Sequence, residues 1–145
     1  MRTNSTGPLV PVLLASARPF DAVEIKDLLH GTAYMLVPAF SLGQAQNLMS
    51  HIVFPIIMFD RHFAGSHWPA TLAKLVSGWQ TPVTLLLSEP CEAGFWEQSI
   101  CRGVFDVLIR PLRSECLVPT LDLAHVHWKL GLAGGPLQAA SVKAE

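Results

Sequence analysis

Apolar residues fall in short continuous blocks along the chain. Five such runs stand out: LVPVLLA at 9–15, AYMLVP at 33–38, PIIMF at 55–59, PVTLLL at 82–87 and VFDVLI at 104–109. Runs of this length, bounded by turn-forming residues, predict strands buried on both faces, as in a parallel sheet. Between them the apolar positions take helical spacing. A helix is predicted over 20–29, started by Pro19 and ended near Gly31. Its apolar positions are Phe20, Val23, Ile25 and Leu28, and its polar ones Asp21, Glu24, Lys26 and Asp27. Ser41, with Gln44 three residues on, has the form of a capping box and opens a second helix striped by Ala45, Leu48, Met49 and Ile52. Pro69 starts a third, with Leu72, Leu75 and Val76 inward and Gly78 at its end. A fourth is predicted over 92–101, carrying Phe95, Trp96 and Ile100. The last, over 114–130, turns Leu117, Val118, Leu121, Val126 and Leu130 inward, and Pro119 either delays its start or kinks its first turns.

Strands alternating with helices through short connections predict an α/β fold with a parallel sheet covered on both faces. The ordered domain is expected over 9–130, between an N-terminal tail at 1–8 and a flexible, Gly- and Ala-rich C-terminal tail at 131–145.

Composition narrows the function classes. Of 145 residues half are hydrophobic and 14% are charged, which fits a well-buried globular domain rather than a disordered chain. A formal net charge of −1 gives no support for direct nucleic-acid binding or an acidic-membrane surface. Cys91, Cys101 and Cys116 have no metal spacing, and three is an odd number for a disulfide scaffold. Reduced cysteines in a cytoplasmic protein are expected. No apolar run is long enough to span a bilayer. His125 and His127, two apart on a helix, point to different faces and do not share a metal easily. No glycine fingerprint follows any strand, so nucleotide binding has no sequence support.

The candidate chemistry lies at the strand ends. Asp60 closes the third apolar run, Ser88 the fourth and Arg110 the fifth. Ligands in open α/β sheets bind at the C-terminal edge of the strands, so an acid, a hydroxyl and a cation converge there. An aspartate in that position also fits an ordinary cap of the following loop or helix.

With these residues in place, the chain from Leu9 to about Leu130 resembles the receiver domain of bacterial response regulators, the CheY-like superfamily. Asp60 stands at the family's phosphoacceptor aspartate, and Arg61-His62-Phe63-Ala64-Gly65 resembles the loop that follows it. Ser88 stands at the family's Thr/Ser, with Glu89 where a small residue is frequent. The stretch GVFDVLIRP at 103–111 resembles the family's Gly-Ala-x-Asp-Tyr-Leu-x-Lys-Pro. The resemblance implies a flavodoxin-like (βα)5 three-layer sandwich with strand order 2-1-3-4-5 and a role in two-component phosphorelay signalling, without enzyme activity of its own.

Departures from the family pattern shape the expected function. The positions of the family's acidic pair are Ser16 and Ala17, followed by Arg18. Asp60 and the His62 carbonyl alone are a poor site for Mg²⁺, a hard cation that favours carboxylate oxygens, so no cofactor is expected and Mg²⁺ binding is expected to be weak or absent. Arg110 stands for the family's lysine, and Val107 for its switch aromatic. An arginine, Arg110 with or without Arg18, is expected to take the place of the metal. The expected role is therefore an atypical receiver, a protein-interaction module impaired in phosphorylation at Asp60. The alternatives are an active receiver phosphorylated there by a histidine kinase, and a small flavodoxin-like enzyme or binding protein. Expected partners are a histidine kinase or another signalling protein. A homodimer is expected to use the face of the fourth helix, fifth strand and fifth helix, where Trp96, Val107 and Trp128 are the candidate surface residues.

Overall fold

The computed structural model describes residues 8–63, 68–78, 80–90 and 103–131. Strands β1 (Val10–Ala15), β2 (Tyr34–Ala39), β3 (Ile56–Asp60), β4 (Val83–Ser88) and β5 (Asp106–Ile109) form one sheet. Their order is 2-1-3-4-5 and every neighbouring pair is parallel. Helices α1 (Pro19–Leu28), α2 (Leu42–Met49), α3 (Trp68–Val76) and α4 (Ser114–Lys129) cover it. The α/β class expected from the block pattern and the flavodoxin-like strand order 2-1-3-4-5 implied by the resemblance are thus the ones observed. The helix expected at 92–101, with Trp96, lies outside the described residues, as do residues 1–7 and 132–145 of the expected tails.

Strand side chains alternate between two cores, which is the geometry of a pleated strand. Val12, Leu14, Ile56, Met58, Leu85, Leu87 and Leu108 face one core with Ala22 and Ile25 of α1 and Leu117, Leu121 and Ala124 of α4. Leu13, Ala15, Ile57, Phe59, Leu86 and Val107 face the other with Ala45 and Met49 of α2 and Trp68, Leu72 and Leu75 of α3. All five residues of β3 are buried, so a continuous apolar run is what the central strand requires.

The helix ends follow local chemistry. Ser41 Oγ accepts the Gln44 amide at 3.2 Å, and Gln44 Oε1 accepts the Phe40 amide at 2.7 Å, one residue before the cap. The second arm of the expected capping box has therefore shifted by one position. Gly31 has φ +81°, a left-handed conformation that glycine adopts without a Cβ penalty, and it turns the chain from α1 into β2. Pro119 lies inside α4, six residues into the helix. Gln80, buried between the α2 exit and β3, donates to the Met49 and Ile52 carbonyls, both at 2.6 Å, and accepts the Phe54 amide at 2.8 Å.

Two helices are rotated relative to the sequence expectation. In α1 the buried residues are Asp21, Ala22 and Ile25, whereas Phe20 is 76% and Val23 64% exposed. In α4 the buried residues are Leu117, Leu121, Ala124 and His127, and the expected inward Val126 and Leu130 are exposed. Both sequences carry enough scattered apolar residues to support more than one stripe. Packing on the sheet selects one.

Candidate functional site

The C-terminal edge of the sheet gathers the three residues expected there. Asp60 ends β3 and Ser88 ends β4, and both are essentially inaccessible. Asp60 pairs in register with Leu87, so Ser88 is the next residue along the neighbouring strand. Arg110 follows β5, its amide held by the Ser88 carbonyl at 3.0 Å, and its peptide to Pro111 is cis. The Phe63 amide donates back to the Asp60 carbonyl at 2.9 Å, which folds the chain after β3 into a tight turn. His62 in that turn is exposed.

Arg110 is the hub. Its Nη2 donates to Asp21 Oδ2 at 2.7 Å and to Asp60 Oδ1 at 3.3 Å, and its Nη1 to Glu89 Oε2 at 3.1 Å. The Arg110 side chain is 11% exposed, and those of Asp21 and Asp60 only 6% and 2%. Burial works against a charged guanidinium. The hydrogen bond and charge of Asp21, and then the charges of Asp60 and Glu89, outweigh it and hold the Arg110 pKa above the ordinary value. Arg110 is therefore a permanent cation in this setting.

Asp21 is the residue that sequence reasoning missed. Ser16 and Ala17 carry no carboxylate themselves, but Asp21 brings one beside Ser16. Ser16 Oγ donates to Asp21 Oδ2 at 2.7 Å and accepts the Arg18 amide at 3.1 Å. The serine at an acidic-pair position thus orients an aspartate supplied from the first turn of α1. Ala17 is exposed and contributes no polar side chain. The signal for Asp21 was the apolar pair Ala22 and Ile25, whose spacing places Asp21 on the same inward side. Phe20 and Val23 obscured it.

Glu89 is the second addition. It stands where the family often has a small residue, and it brings a third carboxylate to the edge. Its Oε2 accepts from Arg18 Nη1 as well as from Arg110, each at 3.1 Å. A cation arriving at Asp21 and Asp60 would have to displace a guanidinium nitrogen that both already share. Among the described residues there is no group of three or more His, Cys, Asp and Glu arranged to hold a metal ion.

Of the candidate surface residues, the two that are described lie against opposite cores. Val107 is buried in the core shared with α2 and α3. Trp128 is half-buried against the opposite core and stacks on His125 at 6.1 Å between ring centroids. Trp96 lies outside the described residues. His127 is buried, with its ring 5.1 Å from that of Phe105, so the two histidines of α4 do face different ways.

No protein-family model matches the chain, and no curated protein matches it. Solved structures do. The signal receiver domain of an HD domain-containing protein from Pseudomonas fluorescens Pf-5 superposes with a TM-score of 0.74 at 18% identity, over 90% of this chain and 97% of that one. A response regulator receiver domain protein from Clostridium thermocellum gives 0.73 at 15% identity, over 84% and 98%. A structure described as adenylate cyclase from Rhodopirellula baltica gives 0.73 at 17% identity, over 84% and 91%. The chain therefore has the fold of a response regulator receiver domain, with Asp60, Ser88 and Arg110 at the C-terminal edge of its sheet. Among the described residues no helix is long and apolar enough to cross a membrane.

Proposed function

We propose that this chain is a receiver-like domain of two-component signalling that works as a protein-interaction module, with phosphotransfer to Asp60 impaired. The observation that supports this reading is the single nitrogen, Arg110 Nη2, shared between Asp21 at 2.7 Å and Asp60 at 3.3 Å. Phosphoryl transfer to an aspartate needs that carboxylate free to attack and a cation free to neutralise charge developing on the transferred group. Here the buried positive charge is already committed to three carboxylates, Asp21 and Asp60 through Nη2 and Glu89 through Nη1. The donor set does not suit a divalent cation while the guanidinium occupies it, so no step is assigned to a metal.

Ser88 and Arg110 then act as fixed parts of a locked edge, and Val107, with no ring to rotate, gives the domain no aromatic switch. On this reading the domain is not an enzyme. It resides in the cytoplasm, and its partners are a histidine kinase or another signalling protein. A homodimer would use the face containing β5 and α4, with Trp96 and Trp128 as candidate contacts. The unit that performs this role is the segment 9–130.

Incubation with acetyl phosphate and Mg²⁺, followed by intact-mass analysis, tests the proposal. The expected result is no phosphoryl increment. A clean increment that disappears in Asp60→Ala would overturn it in favour of an active receiver.

A further inference from the structure

The inner and outer halves of the Arg110 cluster differ in construction. Inside, Asp21 and Asp60 hold Nη2 almost out of contact with water. Outside, one oxygen, Glu89 Oε2, bridges Arg110 Nη1 and Arg18 Nη1 at 3.1 Å from each. The Glu89 side chain is 32% exposed and that of Arg18 50%, so solvent reaches the bridge.

We propose that Arg18 and Arg110 form a carboxylate-binding clamp, filled from within the chain by Glu89, which an acidic side chain of a partner protein fills in its place. Geometry supports this. Two guanidinium groups converge on a single oxygen, and guanidinium forks match carboxylates in shape and hydrogen-bond direction. The buried arms of the cluster hold Arg110 in position, so half of the clamp is pre-organised before any partner arrives. Of the two closing contacts the one to Arg18 is exposed and the one to Arg110 half-buried, and an exposed ion pair is weak enough to exchange.

Charge selects the ligand. With Glu89 withdrawn, Arg18 and Arg110 balance Asp21 and Asp60. One carboxylate then replaces another without changing the charge of the site, whereas a phosphate dianion would add a second negative charge beside Asp60. Phe20, 76% exposed in the first turn of α1 and two residues from Arg18, adds apolar surface that a protein side chain can use and a small free acid cannot. The clamp is separate from the question of whether Asp60 is phosphorylated, because its test uses neither Mg²⁺ nor a phosphodonor.

An end-capped triglutamate peptide is titrated into the full chain at fixed ionic strength, and the Nε–Hε resonances of Arg18 and Arg110 are followed by NMR. Glu89→Gln removes the internal competitor's charge while keeping the side chain's size, a near-isosteric change at a half-buried position. The peptide is expected to bind this variant about fivefold more tightly than the unaltered chain, because the clamp no longer has to open. Adding Arg18→Gln to that variant is expected to abolish the shifts. Glutarate and inorganic phosphate, run in parallel, are expected to bind more weakly than the peptide. The clamp is refuted if Glu89→Gln leaves the peptide affinity unchanged, or if binding survives Arg18→Gln. Equal binding of glutarate would reject a protein ligand, and tighter binding of phosphate would reject a carboxylate.

Discussion

The carboxylate of Asp21 accepts a 2.7 Å hydrogen bond from the guanidinium of Arg110, a residue 89 positions further along the chain. That contact joins the start of α1 to the end of β5 across the C-terminal edge of the sheet. It also converts Asp60 from an open carboxylate into one member of a buried network. Removing one partner from such a network leaves the others with incomplete hydrogen bonding in a poorly solvated place.

Asp21→Asn tests the contact directly. The amide keeps the shape but gives up the charge, and Arg110 retains Asp60 and Glu89. A loss of about 1–3 kcal/mol in unfolding free energy is expected, read as a lower urea midpoint at unchanged slope. No change would mean that the pair contributes nothing net.

Arg110→Met is expected to cost more, about 3–5 kcal/mol, because it takes the shared guanidinium from the buried pair Asp21 and Asp60 and leaves Glu89 with Arg18. The same variant should acquire a response to Mg²⁺. Millimolar Mg²⁺ is expected to raise the Tm of Arg110→Met and leave the unaltered chain where it was. Equal Mg²⁺ responses in both proteins would show that the guanidinium does not occupy the cation position.

Tyr34 is the chain's single tyrosine. Its hydroxyl donates to Asp122 of α4. Burial first, then the hydrogen bond and charge of Asp122, raise its pKa above the ordinary value near 10. A raised pKa for an acid means that the folded state keeps a proton that the unfolded state has already released. The stabilisation is therefore complete below pH 10 and falls as pH rises beyond it. Tyr34→Phe is expected to lower stability by about 1 kcal/mol at neutral pH. The gap between the two proteins should narrow above pH 10. The phenolate absorbance of this one residue gives an independent titration, and a midpoint at or below 10 would contradict the prediction.

Gln80 satisfies one buried amide and two carbonyls around the α2 exit. Gln80→Leu leaves all three without that partner. A destabilisation of about 2–4 kcal/mol is expected, given the cost of each unsatisfied buried group. Hydrogen exchange should quicken first at Phe54, whose amide loses its acceptor. Unchanged protection there would mean that another group or water takes over.

How much of this was legible beforehand can be judged residue by residue. The five apolar runs found the five strands because a parallel sheet buries both faces of each strand, and a continuous apolar run is the signature of that burial. Asp60, Ser88 and Arg110 were legible because they end those runs, and the ends of parallel strands share an edge. Phe20 and Val23 misled because helical spacing alone fixes a period and not a phase. Glu89 was visible as an unusual residue beside Ser88, but its double contact with Arg18 and Arg110 joins three loops.

The sequence by itself therefore determined the α/β class, the strands and the residues at their tips, all of which follow from local runs and chain order. Only the tertiary structure decided which face of α1 meets the sheet, and with it that Asp21 enters the site beneath Ser16. That choice follows from the packing of Ala22 and Ile25 into the core and from the pairing of a buried aspartate with a buried arginine. Neither interaction exists until distant parts of the chain are in contact.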